Sequence, residues 1–121
     1  MKVCKIILAH NGETILDHVP VAHGLWLRFR GLMCRRTLGE SEGLLIPHCR
    51  SVHTCLMRFP IDLVYLRDES EVVRIVGAVK PCRVSSCGQA DSVLEAPAGW
   101  ARRAGVSVGD VLRFESLDQD E

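Results

Sequence analysis

From Gly43 onward the chain is a succession of short apolar runs, "GLLIPH", "SVHTCLM", "IDLVYL", "EVVRIVGAV" and "SVLEAP", with turn-forming residues breaking the succession. Runs this short, spaced this closely, bury their faces by pairing side by side. They predict a mainly β fold, a small antiparallel β barrel or sandwich with one or two short α-helices. Arg67-Asp68-Glu69-Ser70 reads as a hairpin connection between the third and fourth runs. A second hairpin is expected at the N-terminus. Residues 2 to 9 and the segment "ETILDHVPV" (13 to 21) flank Asn11-Gly12, a pair that tolerates positive φ. Pro20 lacks a backbone N–H and so assigns the second strand to an edge or an end.

Two segments carry helical signals. In "HGLWLRFRGLMCRR", Leu25, Phe29, Leu32 and Met33 recur at helical spacing, which predicts a short amphipathic helix with Trp26 and Phe29 in the core. Gly31 costs about 1 kcal/mol there relative to alanine and so marks a close backbone approach or a helix end. In "APAGWARRAGVSVGDVLRF", Pro97 suits a first helical turn and Gly105 a stop, with Trp100 and Ala104 facing inward. A closing strand from Val111 to Phe114 follows the Gly109-Asp110 turn. Residues 80 to 91, "KPCRVSSCGQAD", show no periodicity and read as a surface loop, and residues 117 to 121 read as a frayed tail.

A chain of 121 residues fits a single domain spanning 1–121. Fifteen basic and fifteen acidic side chains cancel, so the broad positive field of a nucleic-acid binder is missing and nucleic acid is not an expected partner. The arginines of "RFRGLMCRR" read as a solvated helix face. The opening "MKVCKIILAH" is too short for a signal-peptide core or for a bilayer span of about 20 apolar residues. A cytoplasmic, soluble monomer with no membrane association is therefore expected. The six cysteines include no C-x-x-C pair. Within "HCRSVHTC", an extended strand would send His48 and Cys49 to opposite faces, so no metal and no cofactor is expected and the cysteines read as small buried hydrophobes.

The residues that break the pattern are polar. In "IDLVYL" both strand faces are apolar apart from Asp62, which makes the strand central and the carboxylate buried. Such a group must find donors or a cation, or take up a proton. His53, Thr54, Arg30, Arg58 and the amides around Pro60 are the candidate partners. "VLEAP" repeats the oddity at Glu95. Convergence of Arg30, His53, Thr54, Asp62 and Glu95 on one cleft would make a ligand site, whereas isolated ion pairs would make them architectural.

The motifs "RGLM" (30–33), "EGLLI" (42–46), "HTCLMRFPIDLVYL" (53–66), "VLEAPAG" (93–99) and "GVSVGDVLRF" (105–114) resemble, in order and spacing, the domain of unknown function 192 family across about residues 20–115. The resemblance implies a small β-rich, barrel-like domain with one or two short helices and no assigned biochemical role. Arg30, Gly31, Pro60, Asp62, Glu95, Gly99 and Gly109 match the shared pattern. The chain departs from it in having "HTCLM" where many members carry Trp-Met-Lys-Asn-Thr, and in lacking the export signal that some members have.

The leading functional expectation is a binding domain holding a small polar ligand or a peptide end in a polar cleft of the β barrel. One alternative is a hydrolase or isomerase using His53 and Asp62 as an acid–base pair, which requires the two side chains within about 3.2 Å, directly or through one water. The other is a protein–protein interaction module offering an edge strand or the arginine-rich helix.

Overall fold

The computed structural model describes residues 2–22, 39–53, 59–68 and 70–117, apart from the His53 side chain. The expected helix bearing Trp26 and Phe29 lies outside the described residues, as do Arg30, Gly31, Thr54, Arg58 and residues 118–121.

Among the described residues, nine strands and one helix follow in the order β1 (Val3–Leu8), β2 (Glu13–Pro20), β3 (Leu44–Pro47), β4 (Ser51–His53), β5 (Ile61–Arg67), β6 (Glu71–Val79), β7 (Val84–Ser86), β8 (Ser92–Pro97), α1 (Trp100–Ala104) and β9 (Leu112–Ser116). They form three antiparallel sheets with strand orders β2-β1-β9, β3-β8-β5-β6 and β4-β7. Isolated bridges join the two larger sheets at both flanks: His18 to Glu42 and Val21 to Leu45 on one side, Glu71 to Val111 on the other.

The central strand is β5, and its alternation explains the doubly apolar "IDLVYL". Val64 and Leu66 share one face of the sheet with Leu94 and Ala96, packed against Ile6, Leu8, Leu16, Trp100 and Leu112. Leu63 and Tyr65 share the other face with Val93, Leu44, Ile46, Val52 and Val79. Residues 63 to 66 are all fully buried, and a buried side chain of that size contributes about 1.5–3 kcal/mol through lost water contact.

Several local expectations are refined. The first hairpin forms, but only Gly12 adopts positive φ (74°). Asn11 contributes its side-chain oxygen, which accepts the Glu13 N–H at 2.9 Å. Asparagine holds turns this way without entering the left-handed region. Pro97 ends β8 rather than opening a helix. Gly99, at φ 82°, turns the chain so that α1 begins at Trp100, and Gly105, at φ 75°, ends it as expected. The segment read as a loop from 80 to 91 contains β7, whose three residues are too few to show an alternating pattern.

Candidate functional site

Asp62 is 2% exposed and accepts three backbone hydrogen bonds. Its Oδ1 receives the N–H of Ala78 at 2.8 Å and of Gly99 at 3.0 Å, and its Oδ2 receives the N–H of Ala101 at 3.0 Å. The backbone is shaped to supply these donors. Between β5 and β6 the register passes from Ile61 opposite Val79 to Leu63 opposite Val76, so Gly77 and Ala78 together stand against Asp62. This is a bulge, with Ala78 at φ 50°, and a bulged residue turns its N–H out of the ladder. Gly99 and Ala101 belong to the start of α1, where the first amides have no intrahelical partner. The helix has no side-chain cap of its own. Asp62 supplies that cap from a distant strand, through charge-assisted bonds of about twice the neutral strength.

Glu95 is 6% exposed and lies between Leu44 on β3 and Leu63 on β5. Among the described residues no donor or cation is paired with its carboxyl group. Burial alone raises its pKa from 4.5 to about 7 because a desolvated carboxylate disfavours its charge.

The two acids do not share a cleft. Leu63 pairs with Glu95, whereas Asp62 pairs with Ala96, so their side chains leave opposite faces of one sheet. Asp62 joins the face of Val64 and Leu94, beside α1. Glu95 joins the face of Tyr65 and Val93. Over that second face lies the β4-β7 ribbon. Val52 of β4 is buried in its core cluster, and the Tyr65 hydroxyl donates to Ser85 Oγ of β7 at 2.8 Å. Burial raises the Tyr65 pKa, although the Ser85 bond and nearby Arg74 pull it partly back; the phenol therefore stays a neutral donor. His53 ends β4, its backbone opposite Val84. The structure thus separates Glu95 from Asp62, while the His53 side chain, Arg30 and Thr54 fall outside the described residues.

Sequence reasoning missed the partners of Asp62, because backbone amides carry no residue-type signature. It also missed the Tyr65–Ser85 tie. The tyrosine in an otherwise aliphatic run was the available signal, since a buried phenol needs a hydrogen-bond partner. A separate cavity of about 450 Å³ opens where several strand ends meet, among Lys2, Val21, His48, Asp68, Phe114 and Ser116, and neither buried acid lines it. Among the described residues, no helix is long and apolar enough to cross a membrane, and no cluster of three potential metal ligands occurs.

Comparison with known proteins agrees with this architecture. The chain is similar to a crystal structure of a proposed transcription regulator from Sinorhizobium meliloti 1021, at 27% identity and TM-score 0.78, covering 93% of this chain and 92% of that one. It also shares its fold with a protein of unknown function from Novosphingobium aromaticivorans DSM 12444, at 21% identity and TM-score 0.77, covering 92% and 83% of the two chains. No curated protein matches. The profile of the domain of unknown function 192 family, DUF192 (Uncharacterized ACR), matches residues 6–114 and so takes in the first hairpin as well as the motifs from Arg30 to Phe114. With that span matched, the chain belongs to the DUF192 family.

Proposed function

We propose that this chain is a binding domain that captures a small polar ligand or a peptide end on the Glu95 face of the central sheet. The observation that carries the reading is a carboxyl group 6% exposed, ringed by Leu44 and Leu63, with no donor or cation paired to it among the described residues. A group in that setting gains most from a ligand that brings a donor or a positive charge, such as an amine. In this reading Glu95 is the anchor, His53, Thr54 and Arg30 supply further polar contacts, and Asp62 braces the scaffold from behind. The bridges at both flanks support reading the two larger sheets as a barrel-like enclosure.

The acid–base alternative is weaker, because the Asp62 carboxylate is already engaged by the amides of Ala78, Gly99 and Ala101 and would have to give up those bonds to pair with an imidazole. A regulatory role of the kind ascribed to the Sinorhizobium protein finds no support in a net charge of zero.

The test is a thermal-shift panel of amines, short peptides and polar metabolites on the wild type, Glu95→Gln and Asp62→Asn. The expected result is a ligand that raises the melting point of the wild type and of Asp62→Asn but not of Glu95→Gln. An equal shift in Glu95→Gln would overturn the assignment.

A further inference from the structure

We propose that the cavity at the strand ends binds a free amino acid with an apolar side chain, and that Lys2 and Asp68 hold its two charges. The cavity encloses about 450 Å³, within the range of about 300–1,000 Å³ typical of small-molecule sites. Its walls come from both larger sheets. Val21, Leu45, Leu112 and Phe114 give it an apolar lining, while Lys2, His48 and Asp68 bring polar groups to it.

On one wall, Leu112, Phe114 and Ser116 line the cavity at alternate positions of β9, with Cys4 of β1 opposite Ser116. The carbonyl of Lys2 accepts the Val21 N–H at 2.8 Å, which extends the β1-β2 pairing to Lys2. Residues two apart along a strand share a face, so Lys2 stands on the same side as Cys4. Arg113 also borders the cavity, but its guanidinium pairs with Glu115 at 3.6 Å. The facing wall carries two left-handed residues, His48 after β3 at φ 55° and Asp68 after β5 at φ 54°. Side-chain-bearing residues keep that conformation where their surroundings hold it. Asp91 holds both turns: its Oδ2 accepts the Asp68 N–H at 2.7 Å and its carbonyl accepts the Cys49 N–H at 3.0 Å. The wall is thus fixed before a ligand arrives, which lowers the ordering cost of binding.

Lys2 and Asp68 carry opposite charges, and among the described residues no ion pair joins them. Asp68 lies beside Arg67, whose guanidinium is already bonded to Glu71 at 2.8 Å. A cation and an anion on separate elements around an apolar lining match a molecule with both charges at one end and a hydrocarbon at the other. Its carboxylate would go to Lys2 and its ammonium to Asp68. A peptide end offers only one of those charges. Glu95 does not line this cavity, so the two sites stand or fall separately.

The experiment is an NMR titration of the wild type, Lys2→Gln, Asp68→Asn and Arg102→Gln with L-leucine, N-acetyl-L-leucine and L-leucinamide. All three substituted positions are exposed, and asparagine tolerates the left-handed region as aspartate does, so Asp68→Asn keeps the turn. The proposal expects saturable leucine binding with amide shifts at Leu45, His48, Asp68 and Leu112–Ser116. Affinity should fall about tenfold or more in Lys2→Gln and in Asp68→Asn, stay at the wild-type level in Arg102→Gln, and fall about tenfold or more for both derivatives on the wild type. Leucine that does not saturate the wild type would overturn it, as would wild-type affinity in either cavity variant. A derivative that binds as tightly as leucine would also overturn it, by assigning the cavity to a peptide end. Shifts at Leu63 and Val93 instead would move leucine to the Glu95 face and end the proposal.

Discussion

Glu95→Gln should change how stability depends on pH. In the unfolded chain the carboxyl titrates near 4.5, whereas in the folded chain it titrates at about 7. Below the lower value it is protonated in both states and carries no penalty. As pH rises from 4.5 to about 7 the folded form holds its proton longer, so the wild type loses stability across that window, and the loss is complete above it. At 1.36 kcal/mol per pH unit the interval corresponds to about 3 kcal/mol, a large share of the 5–15 kcal/mol available to a typical domain. Glutamine mimics the protonated group at every pH, so its own packing cost is a constant offset. The advantage of Glu95→Gln over wild type should therefore grow by about 3 kcal/mol between about pH 4 and about pH 8. Urea unfolding of both proteins, followed by tryptophan fluorescence across that range, measures it. A difference that stays flat within about 1 kcal/mol would show that Glu95 is ionised and stabilised in the fold, and the reasoning from its burial would fail.

Removing the carboxylate in Asp62→Ala leaves the N–H groups of Ala78, Gly99 and Ala101 without their acceptor and should cost about 3–5 kcal/mol by urea unfolding, with faster hydrogen exchange at Ala101. In Gly43→Ala the new methyl would meet the Glu95 carbonyl oxygen at 2.9 Å and Leu16 Cδ1 at 3.0 Å, so a loss of about 1–3 kcal/mol is expected in the same assay. Tyr65→Phe deletes the bond to Ser85; it should cost about 1 kcal/mol and raise amide exchange in β7 more than in β5.

What the sequence showed depended on how far apart the interacting residues lie. The first hairpin and the β5-β6 hairpin were legible because their signals are local: Asn11-Gly12 in one case, Arg67 to Ser70 in the other. The burial of Asp62 was legible from its two apolar faces. Its partners were not, since Ala78, Gly99 and Ala101 lie 16, 37 and 39 positions away and donate through the backbone. Nor was the separation of Asp62 from Glu95, because the side each occupies depends on how β5 and β8 align, a relation that neither strand's own pattern contains. Short β7 escaped for want of length. Pro97 misled because β8 runs on through it and the helix waits for the left-handed turn at Gly99.

The alignment of β5 therefore carries more than hydrophobic pattern. Because both faces of this strand are apolar, sliding it by one residue would still bury leucine and valine, and oil alone would discriminate poorly between the two alignments. The slip would, however, swing Asp62 to the Tyr65 side, where an unsatisfied charge would meet a greasy wall, and would strand three amides at the bulge and the helix start. One aspartate thus acts as a key cut for a single alignment. It makes the wrong pairing expensive at two places at once while the correct one closes β5, the bulge and α1 together.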